Sequence, residues 1–117
     1  MRIDVHQHLW TTSLLDALAE RRGRPFVRRL DGLTVVSSAG EQPYVIDPRA
    51  TSGRDRVAGL DRDGIDRGLV ALSSPIGIEA LPRAAASELI DAHLDGVLAA
   101  EPGFAAWGPL ALDDPDP

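Results

Sequence analysis

Between two segments of helical periodicity lies Gly68-Leu69-Val70-Ala71-Leu72, a run without a polar side chain. So short and apolar a run fits a strand covered on both faces, and such strands belong to parallel sheets flanked by helices. This requirement narrows the fold more than any other feature of the chain. Before the run, Pro48 and Ser52 lead into a helix expected near Arg54 to Asp63, with Val57 and Leu60 on its apolar face and Gly64 as its stop. After it, Arg83 to Ala100 is expected to form a long helix with Ala86, Ile90, Leu94, Val97 and Leu98 on one stripe. Pro102-Gly103 breaks that helix, and Phe104 to Leu112 is expected as a further buried strand. At the other end, Arg2 to Val5 reads as an opening strand. A helix over Leu14 to Arg22 follows, N-capped by Thr12 or Ser13, with Leu14, Leu15 and Leu18 on one face and Gly23 and Pro25 ending it.

One segment has a different texture. Phe26 to Leu30 and Leu33 to Ser37 flank Asp31-Gly32, a strong signal for a two-residue hairpin turn, and Tyr44 to Ile46 is expected to add a third strand. The resulting order is strand, helix, hairpin, helix, strand, helix, strand, which predicts an α/β fold with a parallel sheet. A complete (β/α)8 barrel takes about 250 residues. The chain of 117 residues is therefore expected to be a single domain, the N-terminal part of such a barrel, with a small antiparallel hairpin insertion at about 26–46. It would stop after three barrel strands at the polar, proline-rich end Asp113 to Pro117. A free-standing three-stranded α/β domain is the alternative.

Composition excludes some function classes. With 44% hydrophobic residues the chain can bury a core. A net charge of -6 argues against nucleic acid and anionic membrane surfaces. No stretch approaches the roughly 20 apolar residues of a membrane span, and the opening residues lack the basic-then-apolar pattern of an export signal. A cytoplasmic protein is the expectation. There is no cysteine, which removes disulfides, thiolate metal sites and a cysteine nucleophile. Lysine is absent too, so no Schiff base or carbamylated bridging ligand can form in this segment.

The chemistry-bearing segment is Asp4-Val5-His6-Gln7-His8-Leu9-Trp10. Residues two apart on a strand point to one side, about 6 to 7 Å apart. Asp4, His6 and His8 are thus expected on one face at the carboxyl end of the first strand, where parallel barrels build their sites. Two imidazoles so placed can grip a single ion. Asp4 is expected behind them, accepting a spare imidazole N–H.

Asp4 to Trp10 resembles the opening of the amidohydrolase-related family that includes aminocarboxymuconate-semialdehyde decarboxylase and several lactone hydrolases. Leu60 to Val70 is similar to that family's helix and second strand, and Phe104 to Pro115 to its third strand. The resemblance implies a distorted (β/α)8 barrel with one divalent metal, usually zinc. His6 and His8 would be its first two ligands, joined in the family by a later histidine and an aspartate that have no counterpart here. It also implies a metal-activated water attacking the carbonyl of a small carboxylate, lactone or amide substrate, or else metal-assisted loss of carbon dioxide. With two ligands where a catalytic zinc takes three, this segment alone is expected to be a poor catalyst. The reading from another class is a non-catalytic α/β fragment or interaction module, including a homo-oligomer.

Other residues divide between chemistry and structure. Ser73 and Ser74 follow the second parallel strand and suit either a substrate hydrogen bond or a loop cap. Trp10 suits a substrate-pocket wall or packing under the loop, and Trp107 suits the core. His93, on the flank of the apolar stripe, suits a third metal ligand or a partly buried or surface helical histidine, and the latter is expected because a crossover helix packs outside a barrel. The arginines at 21, 22, 24, 28 and 29 suit either a carboxylated substrate or, as is expected, a solvated helix end and hairpin face.

Overall fold

Strands and helices alternate except where three antiparallel strands follow one another. The computed structural model describes residues 1–49, 53–100 and 102–112; Ser52 and the proline-rich end at 113–117 lie outside the described residues. In order come β1 (Ile3–Gln7), α1 (Thr12–Ala19), β2 (Phe26–Leu30), β3 (Leu33–Ser37), β4 (Tyr44–Ile46), α2 (Gly53–Arg62), β5 (Arg67–Val70), a 3-10 turn at Ser74–Ile76, α3 (Arg83–Leu98) and β6 (Phe104–Ala106). They form an α/β fold with a parallel sheet ordered β1-β5-β6 and an antiparallel sheet ordered β2-β3-β4. No described helix is long and apolar enough to cross a membrane.

The hairpin forms as its turn residues dictate. Asp31 and Gly32 both take positive φ, 50° and 80°, the combination a tight hairpin turn needs to match strand twist. Phe26 to Leu30 pairs residue by residue with Leu33 to Ser37, and β4 adds to the far edge of β3. Arg28 explains part of the basic run: its guanidinium donates to the carbonyls of Ala19 and Arg21 at 3.2 and 2.7 Å, satisfying groups that the end of α1 leaves without helical partners. Arg29 pairs with Asp16 on α1 at 2.8 Å.

Several expected boundaries move. The cap of α1 is Thr11, whose hydroxyl accepts from the Leu14 N–H, and the helix ends at Ala19. The third parallel strand is only Phe104–Ala106, because Gly108 and Pro109 follow closely and proline has no N–H for a ladder. β5 is covered on one face only: Gly68 and Val70 are buried, Arg67 and Leu69 are not. On α3 the buried residues are Ala86, Leu89, His93, Gly96 and Val97, whereas Leu98 is 56% exposed. The buried stripe is thus rotated from the one expected, and His93 lies in its middle.

Two apolar clusters result. Leu14, Leu15 and Leu18 of α1 pack with Val27, Val36, Ile76, Ile78 and Leu89. Val70 and Phe104 of the parallel sheet pack with Leu9, Leu60 and Val97 under the helices. The opposite face of β1 is open: Ile3 is 48% and Val5 60% exposed.

Gly96 sets how closely α3 meets α1. A Cβ there would lie 2.0 Å from Thr11 Oγ1 and 2.4 Å from Thr11 Cβ, on the capping residue itself. Gly→Ala in a helix gains about 0.5–1 kcal/mol from propensity, while overpacking costs about 1–3 kcal/mol. Overlap with a Cβ belongs at the upper end, so Gly96→Ala is expected to destabilise by about 1 kcal/mol or more. Gly59 of α2 has nothing within 4 Å of its added Cβ, so Gly59→Ala is expected to stabilise. Urea denaturation of both variants checks this; a stabilised Gly96→Ala contradicts the packing.

Candidate metal centre

The end of β1 is irregular in a way that decides where its side chains go. Asp4 aligns with Gly68 and Gln7 with Val70, so β1 spends three residues where β5 spends two. An extra residue of this kind re-aims the side chains around it. Asp4 and Gln7 therefore share the side of Gly68 and Val70, toward the helices. The expected common face for Asp4, His6 and His8 is not formed. Asp4 does not meet an imidazole; its carboxylate accepts the His6 backbone N–H at 3.0 Å and the Gln7 side-chain amide. These two donors, the backbone one first, hold its pKa below the ordinary value. Gln7 Oε1 in turn accepts from Arg56 of α2 at 3.3 Å.

His6 and His8 lie beyond that contact, and their rings come together. The centroids are 4.7 Å apart and the planes nearly perpendicular at 88°. His8 Nδ1 sits 2.8 Å from the Ala71 carbonyl just past β5. A carbonyl only accepts, so Nδ1 is the donor; in a neutral ring the lone pair is then on Nε2. A ring tethered this way is oriented as metal-binding histidines usually are, by a backbone carbonyl on the far nitrogen.

Both rings line a cleft of about 380 Å³ at the carboxyl ends of the parallel strands. Its other walls come from Ser74, Pro75 and Glu79 after β5 and from Trp107 after β6. Trp107 is not core: it is 52% exposed, and its indole N–H donates to the Val5 carbonyl at 3.0 Å. Glu79 is a cleft residue that sequence reasoning missed, since nothing in its local pattern marks it. Among the described residues no group of three or more His, Cys, Asp or Glu is arranged to hold an ion. The two histidines fit a metal as two of its ligands and no more.

His8 also borders a second cavity, of about 280 Å³, with Trp10, Leu14, Tyr44, Ser73 and His93. Trp10 and Tyr44 meet edge to face there, centroids 6.5 Å apart. The two serines thus part company, Ser73 on this cavity and Ser74 on the cleft, and the Ser73 hydroxyl makes no capping bond.

His93 is 1% exposed, and neither ring nitrogen finds a partner among the described residues. An unsatisfied buried polar group costs about 1–3 kcal/mol. Small residues were the signal for its position: Ala86, Leu89, Gly96 and Val97 recur around it at helical spacing, and Ala and Gly mark close contact better than Leu94 or Leu98 does.

The chain matches no protein-family model and no curated protein.

Burial, and secondarily the neighbouring His8, push the His93 pKa below its ordinary 6.5. As pH falls through that value, the unfolded chain takes up a proton that the folded chain resists. Stability present above the ordinary value is therefore lost on acidification, by about 1.4 kcal/mol for each unit of depression. Denaturation midpoints are expected to fall more steeply in wild type than in His93→Leu between about pH 7.5 and about pH 5.5. Parallel slopes in the two proteins contradict the assignment.

Proposed function

We propose that His6 and His8 are the first two ligands of a divalent-metal site, probed most directly with zinc, in a hydrolase whose parallel strands belong to a (β/α)-barrel. The observation that carries this reading is the pair of rings 4.7 Å apart in a cleft at the strands' carboxyl ends, one of them tethered through Nδ1 to the Ala71 carbonyl. Barrel enzymes place their chemistry at that end. The barrel part of the proposal draws support from the parallel order β1-β5-β6. It also draws on the uneven cover of the sheet: helices lie over Val70 and Phe104, while Ile3 and Val5 on β1 remain open.

A bound ion of this kind lowers the pKa of a coordinated water to about 7 and polarises a carbonyl. The chain's own contributions are more specific. The Ala71 carbonyl keeps His8 in the tautomer that presents Nε2. Asp4 fixes the backbone between the two histidines by accepting the His6 N–H. Glu79 is the carboxylate on the cleft wall that can hold a proton during attack on a carbonyl, and Trp107 narrows the cleft on the β6 side. The substrate is a small molecule with a carbonyl: a lactone, an amide or a carboxylate. Decarboxylation within the same site needs the same ligands and the same cleft.

The open Ile3 and Val5 favour a second reading, in which this face of β1 is covered by another polypeptide and the segment acts as an assembly module. Light scattering with zinc titration separates the two: defined self-association in a wild type that binds no zinc favours the module, and zinc binding lost in His6→Ala favours the metal site.

Titration of metal-free protein with zinc, followed by calorimetry, is expected to show one ion per chain. His6→Ala and His8→Ala are each expected to weaken it at least tenfold. Affinity is expected to drop on acidification, because the ligands must be neutral to bind. Equal affinity in wild type and both variants removes the site.

A further inference from the structure

We propose that the cavity between Trp10 and His93 is a binding site for a small uncharged ring that carries one hydrogen-bonding oxygen. Four observations lead there. The cavity measures about 280 Å³. An apolar cavity of about 150 Å³ already holds benzene, so a six-membered ring with a substituent fits. Its walls are mostly apolar and partly aromatic: Trp10 and Tyr44 make an edge-to-face corner, with Leu14 and Ile76 closing the sides.

His93 supplies the polar end. It lines this cavity, is 1% exposed, and has two ring nitrogens without a partner among the described residues. A neutral imidazole offers one donor and one acceptor, so a hydroxyl or carbonyl oxygen on the occupant can meet it. No arginine is among the described residues lining the cavity, and the chain has no lysine at all. A carboxylate buried there would find only the imidazoles of His8 and His93 as counter-charges, and burial disfavours the charged form of His93. Selection therefore runs toward an uncharged ring.

The position gives the binding a purpose. His8 borders both this cavity and the cleft it shares with His6. A ring seated on His93 would present its far side beside His8. Among the carbonyl substrates proposed above, such binding selects the uncharged ones, a cyclic lactone or amide, over a carboxylate; for that role it rests on the metal reading, and the binding step needs no ion.

Phenol, toluene and benzoate separate the contributions: ring with hydroxyl, ring alone, and ring with charge. Chelator-treated protein is titrated with each, following tryptophan fluorescence and calorimetry. Phenol is expected to bind wild type about five- to tenfold more tightly than toluene, the range one modest hydrogen bond supports, and benzoate more weakly than either. His93→Leu is expected to erase the preference of phenol over toluene, and His93→Gln to keep part of it. Tyr44→Ala, on the half-buried edge of the hairpin sheet, is expected to weaken phenol at least fivefold without loss of helix signal. His6→Ala is expected to leave phenol binding unchanged while weakening zinc, so the two proposals fail separately. Equal affinity for phenol and toluene, a preference that survives in His93→Leu, or no binding of either ring at millimolar concentration overturns the inference.

Discussion

The pairing of β1 on β5, with its one extra residue, is the constraint from which the site follows. Had the two strands run in unbroken register, Asp4, His6 and His8 would have lined up on one face. The aspartate would then have stood beside the imidazoles. Instead the irregularity between Asp4 and Gln7 turns both of these toward α2, where Gln7 reaches Arg56. His6 and His8 are left to the cleft. The carboxylate still matters to them, but through the backbone: it accepts the His6 N–H and so holds the strand at the point where the register slips.

A second contact governs the other side of the molecule. Gly96 lets α3 approach the first turn of α1 so closely that Thr11, the capping residue, lies where a side chain would otherwise be. Because α3 is seated by that contact, the buried stripe of the helix includes His93. The same approach brings α3 to the wall that Trp10 and Leu14 make. A glycine in one helix and a threonine at the start of another therefore determine that an imidazole is buried near His8.

The parts of the fold that were legible in the sequence are those set by local chemistry. Asp31-Gly32 specified its own turn, since few residues tolerate positive φ at both central positions. The three parallel strands and the helices between them followed from apolar runs and breakers, and the His-x-His pair led to the cleft directly. What was not legible depends on contacts between distant segments. The slip in β1 appears in no local pattern, because it is defined only against β5. The exposed Trp107 read as core, since an aromatic residue after Phe104-Ala105-Ala106 looks like the continuation of a strand; Gly108 and Pro109 end the strand early. On hydropathy alone His93 is peripheral, because Ile90, Leu94 and Leu98 carry the apolar signal. Close helix packing is governed instead by small side chains, which carry little hydrophobic signal.

His8 is the residue at which these two arrangements meet. Its Nδ1 is committed to the Ala71 carbonyl, so its orientation depends on the end of β5, and its ring forms part of both cavities. The segment after Ala71 distributes itself in the same way: Leu72 borders both spaces, Ser73 one and Ser74 the other. A shift at the end of β5 would therefore move the tether of the imidazole and the walls of both cavities together. Under the proposed function this is an advantage, because the group that binds the ion and the wall that seats the ring are fixed by one hydrogen bond. It also accounts for why a carbonyl suits the tether better than a carboxylate would. A backbone oxygen moves only with its strand, carries no charge to compete for the ion, and fixes the orientation of the His8 ring by accepting from Nδ1.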